Sequence, residues 1–212
     1  MNTARRVLPL RPRSRGLKLG LGLVSSAIAL VLLAGCANDP LAAQYKDGTD
    51  TNYISGEGVY KEYTVAERGK TVDFKGTTDA GTKVSNADYA NKVTVVNFWY
   101  AGCPPCRLEA PDLEKLSKTY AAKGVSFLGV NTYDQAPTSQ AFARKFGVTY
   151  PSIIDANDVA VQFAFSGSVP PNAVPTTLVL DREGRVAARW SGLVSDPSIL
   201  AAMIDRVVGE ES

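Results

Sequence analysis

Asn97-Phe98-Trp99-Tyr100-Ala101-Gly102-Cys103-Pro104-Pro105-Cys106-Arg107 joins an apolar run that begins at Val93 to a segment with helical character. Val93-Thr94-Val95-Val96-Asn97-Phe98-Trp99 is apolar almost without interruption. That pattern predicts a strand covered on both faces, as in a parallel sheet. A helix is expected from Cys103 to Lys123, ended by Gly124. The two cysteines are separated by two residues, close enough to close into a disulfide with little backbone movement. Cys103 falls where the helix begins, so unpaired N–H groups and the positive end of the helix dipole favour its thiolate. Pro104 and Pro105 occupy the first turn, where a missing N–H costs little. Cys106, one turn further in, is expected to be the more shielded sulfur.

Outward from this stretch the pattern is α/β. Val72–Thr77 and Thr82–Val84, joined around Asp79-Ala80-Gly81, read as a small hairpin. Val125–Val130 reads as a second buried strand, and residues 138–146 as a helix closed by Gly147. Val159–Phe165 reads as a short helix. Thr176–Leu180 and Arg185–Trp190 flank the turn Asp181-Arg182-Glu183-Gly184 as a second hairpin. Pro197–Val208 aligns Ile199, Leu200, Met203, Ile204 and Val207 on one helical face.

The amino-terminal part reads differently. Arg5, Arg6, Arg11, Arg13, Arg15 and Lys18 form a basic region without acidic residues, followed by an apolar run from Leu19 to Ala34 and then Leu33-Ala34-Gly35-Cys36. Small residues closing an apolar core mark a cleavage site. The cysteine after them resembles a bacterial lipobox, in which Cys36 becomes the acylated amino terminus. The run is short against the roughly 20 apolar residues of a spanning helix. Residues 1–35 are therefore expected to be a lipoprotein signal peptide, 36–58 a flexible lipid-anchored tether and 59–212 the folded domain. Cleavage would remove six basic residues and turn the net charge of +2 into −4. With no basic block left after Cys36, no nucleic-acid partner is expected.

Asn97 to Arg107, Pro111 further along the helix, and Val174-Pro175-Thr176-Thr177 before a late strand resemble the thioredoxin fold. More closely they resemble the exported TlpA/ResA-like disulfide reductases. The resemblance covers Val59 to Val208. It implies a mixed central sheet flanked by helices, with an N-terminal hairpin extension and a central insertion. It also implies a cis bond before Pro175, with the backbone of Val174 pairing with an extended substrate. Glu109, three residues after Cys106, matches the position of an acid that tunes the thiols and moves protons in ResA-like proteins. The competing reading of Glu109 is a solvated acid favoured by the helix start.

Two departures stand out. Cytosolic thioredoxins have a buried aspartate where this chain has Asn97, and Glu109 could replace it. The family places tryptophan before the first cysteine, whereas here it is Gly102; a missing indole is expected to open the surface beside Cys103.

The chemistry expected is thiol–disulfide exchange, with Cys103 attacking and Cys106 resolving. A purely structural disulfide is disfavoured because so short a loop removes little unfolded-state entropy. A zinc site lacks ligands, since the chain has no histidine and only three cysteines. No cofactor beyond a redox-active Cys103–Cys106 disulfide is expected, and no metal.

The resemblance places the protein on the outer face of the cytoplasmic membrane. Its substrate would be a disulfide-bearing protein, the haem-attachment cysteines of apocytochrome c, and its donor an integral-membrane thiol protein. The alternatives are a general reductase or isomerase of exported disulfides, and a non-catalytic lipid-anchored peptide-binding module.

Overall fold

The computed structural model describes residues 58–169 and 173–210. The expected signal peptide, the lipidation site at Cys36 and nearly all of the tether lie outside the described residues.

A six-stranded mixed sheet forms the centre, in the order β1-β8-β7-β4-β5-β6. Its middle strand is β4 (Thr94–Trp99), buried at every position. β4 pairs in parallel with β5 (Ser126–Asn131), which pairs in parallel with β6 (Ser152–Ile154). On the other side β4 pairs antiparallel with β7 (Thr176–Leu180), and β7 with β8 (Val186–Ser191). β1 (Val59–Glu62) closes that edge against β8. β2 (Lys75–Thr77) and β3 (Lys83–Ser85) form the separate hairpin expected from the sequence.

The period-two alternation of a strand divides the core. Val95 joins Leu113, Leu116 and Tyr120 of α1 (Pro104–Ala121) and Leu200, Met203, Ile204 and Val207 of α4 (Pro197–Val208). Val96 and Phe98 face the opposite layer, with Phe74, Ile153, Val161 and Phe165. Each such side chain contributes about 1.5–3 kcal/mol by leaving water, so both faces of β4 hold the molecule together. β6 and α3 (Ala160–Ala164) lie between α2 (Ala136–Phe146) and β7.

Local chemistry fixes the helix ends that position the cysteines and their neighbours. Two prolines open α1, with Cys103 as the residue before the helix. α2 stops at Gly147, whose φ of 73° is the left-handed conformation that only glycine adopts without strain. α4 starts where the Asp196 carboxylate accepts the Ser198 N–H at 2.9 Å. β1 and β6 carry no strand signal in the sequence.

Candidate active site

Cys103 and Cys106 form a disulfide, with their Cα atoms 5.3 Å apart. β4 delivers the chain to the carboxyl end of the sheet, and a three-residue turn, closed by Cys103 N–H to the Tyr100 carbonyl at 3.2 Å, brings it to α1. The Cys106 N–H points at the Cys103 sulfur, 3.2 Å away. Because Pro104 and Pro105 have no N–H, the Cys106 amide is the first donor α1 can offer. A thiolate at Cys103 would therefore sit where the helix is most positive and one amide is already aimed at it.

The burial of the two sulfurs departs from expectation. Cys103 is 0% exposed and Cys106 2%, so the first cysteine is no more open than the second. Both belong to an apolar cluster with Trp99, Ala110, Phe142 and Val174, against which Tyr100 and Ala101 also pack. Gly102 does not leave the gap expected of a missing indole. A Cβ at Gly102 would lie 3.1 Å from the Tyr100 ring, so the tyrosine fills part of that space. What the sequence could not show is that the ring two residues upstream folds back over the turn. Tyr100 also meets the exposed ring of Tyr133, 5.7 Å away between centroids.

Val174 belongs to the same apolar cluster as the cysteines, and its bond to Pro175 is cis. Pro175 gives its carbonyl to the Gly192 N–H at 2.8 Å. Among the described residues, neither the N–H nor the C=O of Val174 has a backbone partner. Strand-like pairing with a peptide needs such an unpaired backbone, although Val174 itself is buried.

Glu109 lies one turn beyond Cys106 and is 1% exposed, which rules out the solvated acid. Asn97 Nδ2 donates to its Oε1 at 2.9 Å and also to Thr177 Oγ1 at 3.1 Å. The Val194 N–H donates to Oε2 at 3.0 Å. Burial raises the carboxyl pKa and the two donors lower it; burial dominates, and the group is pushed up to about 8. That is close to the roughly 8.5 of a free thiol. Trp99 and Phe98 are core residues, as expected, and the Trp99 Nε1–H donates to Ser152 Oγ at 3.2 Å.

The sequence-based reading missed the brace beneath the turn. Asp134 Oδ2 accepts the Ala101 N–H at 2.6 Å and the Asn131 amide at 3.0 Å. Asn131 Oδ1 in turn accepts the N–H groups of Tyr133 and Asp134 at 3.1 and 2.7 Å. The available signal was Asn131-Thr132-Tyr133-Asp134 at the end of a strand, residues whose side chains bond their own backbone in turns. Val194 had no signal, because only the fold brings it to Glu109; Thr177 stood in the Val174–Thr177 motif, but its bond to Asn97 was not foreseen.

A parallel β–α unit that carries a cysteine pair at the helix start, packed against the residue before a cis-proline, defines a thiol–disulfide oxidoreductase of the thioredoxin fold. The chain belongs to the Redoxin family, whose model matches residues 64–204. It is 31% identical over 175 residues to the thiol-disulfide oxidoreductase ResA of Geobacillus kaustophilus, covering 82% of this chain and 89% of that one. Among solved structures it is similar to a secreted thiol-disulfide isomerase from Corynebacterium glutamicum, with a TM-score of 0.64 and 32% identity over 71% of this chain and 92% of that one. A DsbF homologue from Corynebacterium diphtheriae gives a TM-score of 0.62 and 33% identity over 69% and 92% of the two chains.

Proposed function

We propose that the chain works outside the cytoplasm, tethered to the membrane through a lipid on Cys36, and reduces the haem-attachment cysteines of apocytochrome c. The observation that carries thiol–disulfide exchange is the Cys106 N–H aimed at Cys103 Sγ, near Val174, whose backbone has no backbone partner among the described residues. In the reduced protein Cys103 thiolate attacks a substrate disulfide. One substrate sulfur joins Cys103 in a mixed disulfide, and the other leaves as a thiolate that takes up a proton. Cys106 then loses its proton, attacks Cys103 Sγ and releases the second substrate thiol. Two electrons and two protons pass to the substrate, and the protein is left with the Cys103–Cys106 disulfide. A membrane thiol donor returns them. Glu109, buried one turn beyond Cys106 with its carboxyl pushed up to about 8, is the group that in its ionised form takes the Cys106 proton and then gives it to the departing thiolate.

A second reading, a general isomerase of exported disulfides, draws support from the likeness to the secreted isomerase of Corynebacterium glutamicum. One experiment separates the readings. Cys106→Ser should halt the reaction at the mixed disulfide on Cys103, so that its partner can be isolated and identified. An apocytochrome c is expected; a broad set of exported proteins would replace that substrate by the second reading. Full complementation of a deletion strain by Cys103→Ser/Cys106→Ser would end both and leave a peptide-binding module.

A further inference from the structure

The peptide unit between Leu193 and Val194 is bonded at both ends to different parts of the molecule. Its carbonyl accepts the Gly58 N–H at 3.2 Å and the Trp190 Nε1–H at 2.9 Å. Its N–H donates to Glu109 Oε2 at 3.0 Å. A trans peptide is planar, with C=O and N–H on opposite sides, so whatever fixes the carbonyl also aims the N–H. One residue earlier, the Gly192 N–H holds the carbonyl of Pro175. Residues 192–194 thus bond both the cis-proline that follows Val174, a member of the cysteine cluster, and Glu109.

The packing leaves little tolerance. Trp190 is 2% exposed, and a Cβ on Gly58 would fall 1.9 Å from its Nε1 and 2.6 Å from the Leu193 oxygen. Gly58 is also where the chain joins β1, and Val59 pairs with Ser191 at the end of β8 that leads into this loop.

We propose that Trp190 and Gly58 are positioning residues for Glu109: they hold the Leu193–Val194 peptide so that its N–H stays on the carboxylate, and thereby couple attachment of the amino-terminal chain to proton handling at the cysteine pair. This rests on the reading of Glu109 as the acid that serves the thiols. Loosening the carbonyl lets the peptide turn, and the ionised carboxylate then loses a charge-assisted hydrogen bond while the neutral acid loses less. The ionisation of Glu109 moves to higher pH. The other ionisable groups near it are Tyr150, whose phenol is itself pushed up by burial and by Glu109 and Glu114, then Glu114 with its partner Lys118, and the cysteine pair. Neither substitution below removes any of them.

The test uses the full-length reduced protein in detergent, with the rate of iodoacetamide alkylation of Cys103 followed against pH. Glu109→Gln identifies the inflection that belongs to the acid. Trp190→Phe keeps a buried ring while removing the N–H and part of the ring volume, whereas Gly58→Ala pushes residue 58 off the Leu193 carbonyl from the outside. Both are expected to raise that inflection by about one pH unit, the scale of one hydrogen bond to a charged group. Arg68→Ala, which breaks the buried ion pair to Asp181 just beyond the other end of β7, is expected to leave it in place. An unmoved inflection in both loop variants overturns the proposal while the role of Glu109 stands. A wild-type profile with no inflection that Glu109→Gln removes overturns the role of Glu109 itself.

Discussion

Glu109 is a carboxyl group whose two oxygens both accept N–H donors, an arrangement suited to a carboxylate, in a place where burial opposes the charge. Burial wins, which sets the direction of a pH effect on stability. The group titrates near 4.5 when unfolded and near 8 when folded. Between those values the native state holds a proton that the unfolded chain has lost. Stability from this residue is therefore complete below the unfolded pKa and falls away as pH rises to the folded one. The loss amounts to roughly 3–5 kcal/mol at about 1.4 kcal/mol per unit. Glu109→Gln cannot ionise, and Asn97 can turn its amide so that its oxygen meets the new NH2 group. Urea unfolding of the oxidised protein, in which the cysteines do not titrate, should show the wild type losing stability relative to Glu109→Gln from pH 5 to pH 8. Parallel curves across that window would mean that the carboxyl is not raised. Glu109 was visible in the sequence as a candidate, three residues from Cys106. Its burial was not, because Asn97, Thr177 and Val194 come from separate elements that only the sheet brings together.

At the scale of elements, legibility followed burial. β4, α1, the β7–β8 hairpin and α4 were readable because each buries an apolar run or stripe whose period names the element. β1 is exposed at all four positions and β6 has three residues, so neither carries a period. They are strands because β8 and β5 offer them free edges. The closeness of β6 depends on Gly129 in β5. A Cβ there would lie 2.1 Å from Ser152 Oγ and 2.8 Å from Trp99 Nε1, the two atoms of the bond that fixes the indole beside the cysteines. No rotamer change in β5 can relieve the clash, since the added atom sits on the backbone. Gly129→Ala should cost about 1–3 kcal/mol, as overpacking does in other cores, and lower the urea midpoint accordingly. It should also blue-shift or broaden Trp99 fluorescence, as the indole N–H loses Ser152. A midpoint equal to that of wild type would show that β6 yields without loss.

Across the whole molecule, the two ends of the sheet are built from different materials. The end that carries the cysteines is an apolar cluster with a few directed amides. The opposite end is closed by charge. Arg68, its side chain 2% exposed, donates to Asp181 at 3.0 Å and Glu210 at 2.6 Å, and its Nε–H reaches the Tyr63 carbonyl at 3.3 Å. One guanidinium thus ties the segment after β1, the β7–β8 turn and the chain beyond α4. Asp181 is itself 3% exposed at the side chain and also binds Arg185 at 2.8 Å. Removing one member of a buried ion pair is costly chiefly because the other charge stays behind. Arg185 remains on Asp181 and Glu210 is partly exposed, so Arg68→Ala should cost about 3 kcal/mol, the lower part of the usual range. Arg68→Met, which refills the volume, restores none of the charge pairing and should recover only part of the loss. Neither should change the pH profile of Cys103 alkylation, because among the described residues the hydrogen bonds of Arg68 go to Tyr63, Asp181 and Glu210, and none to α1 or the 192–194 loop. A profile that moved with Arg68 would mean that the sheet transmits changes along its strands, and that the two ends do not act independently.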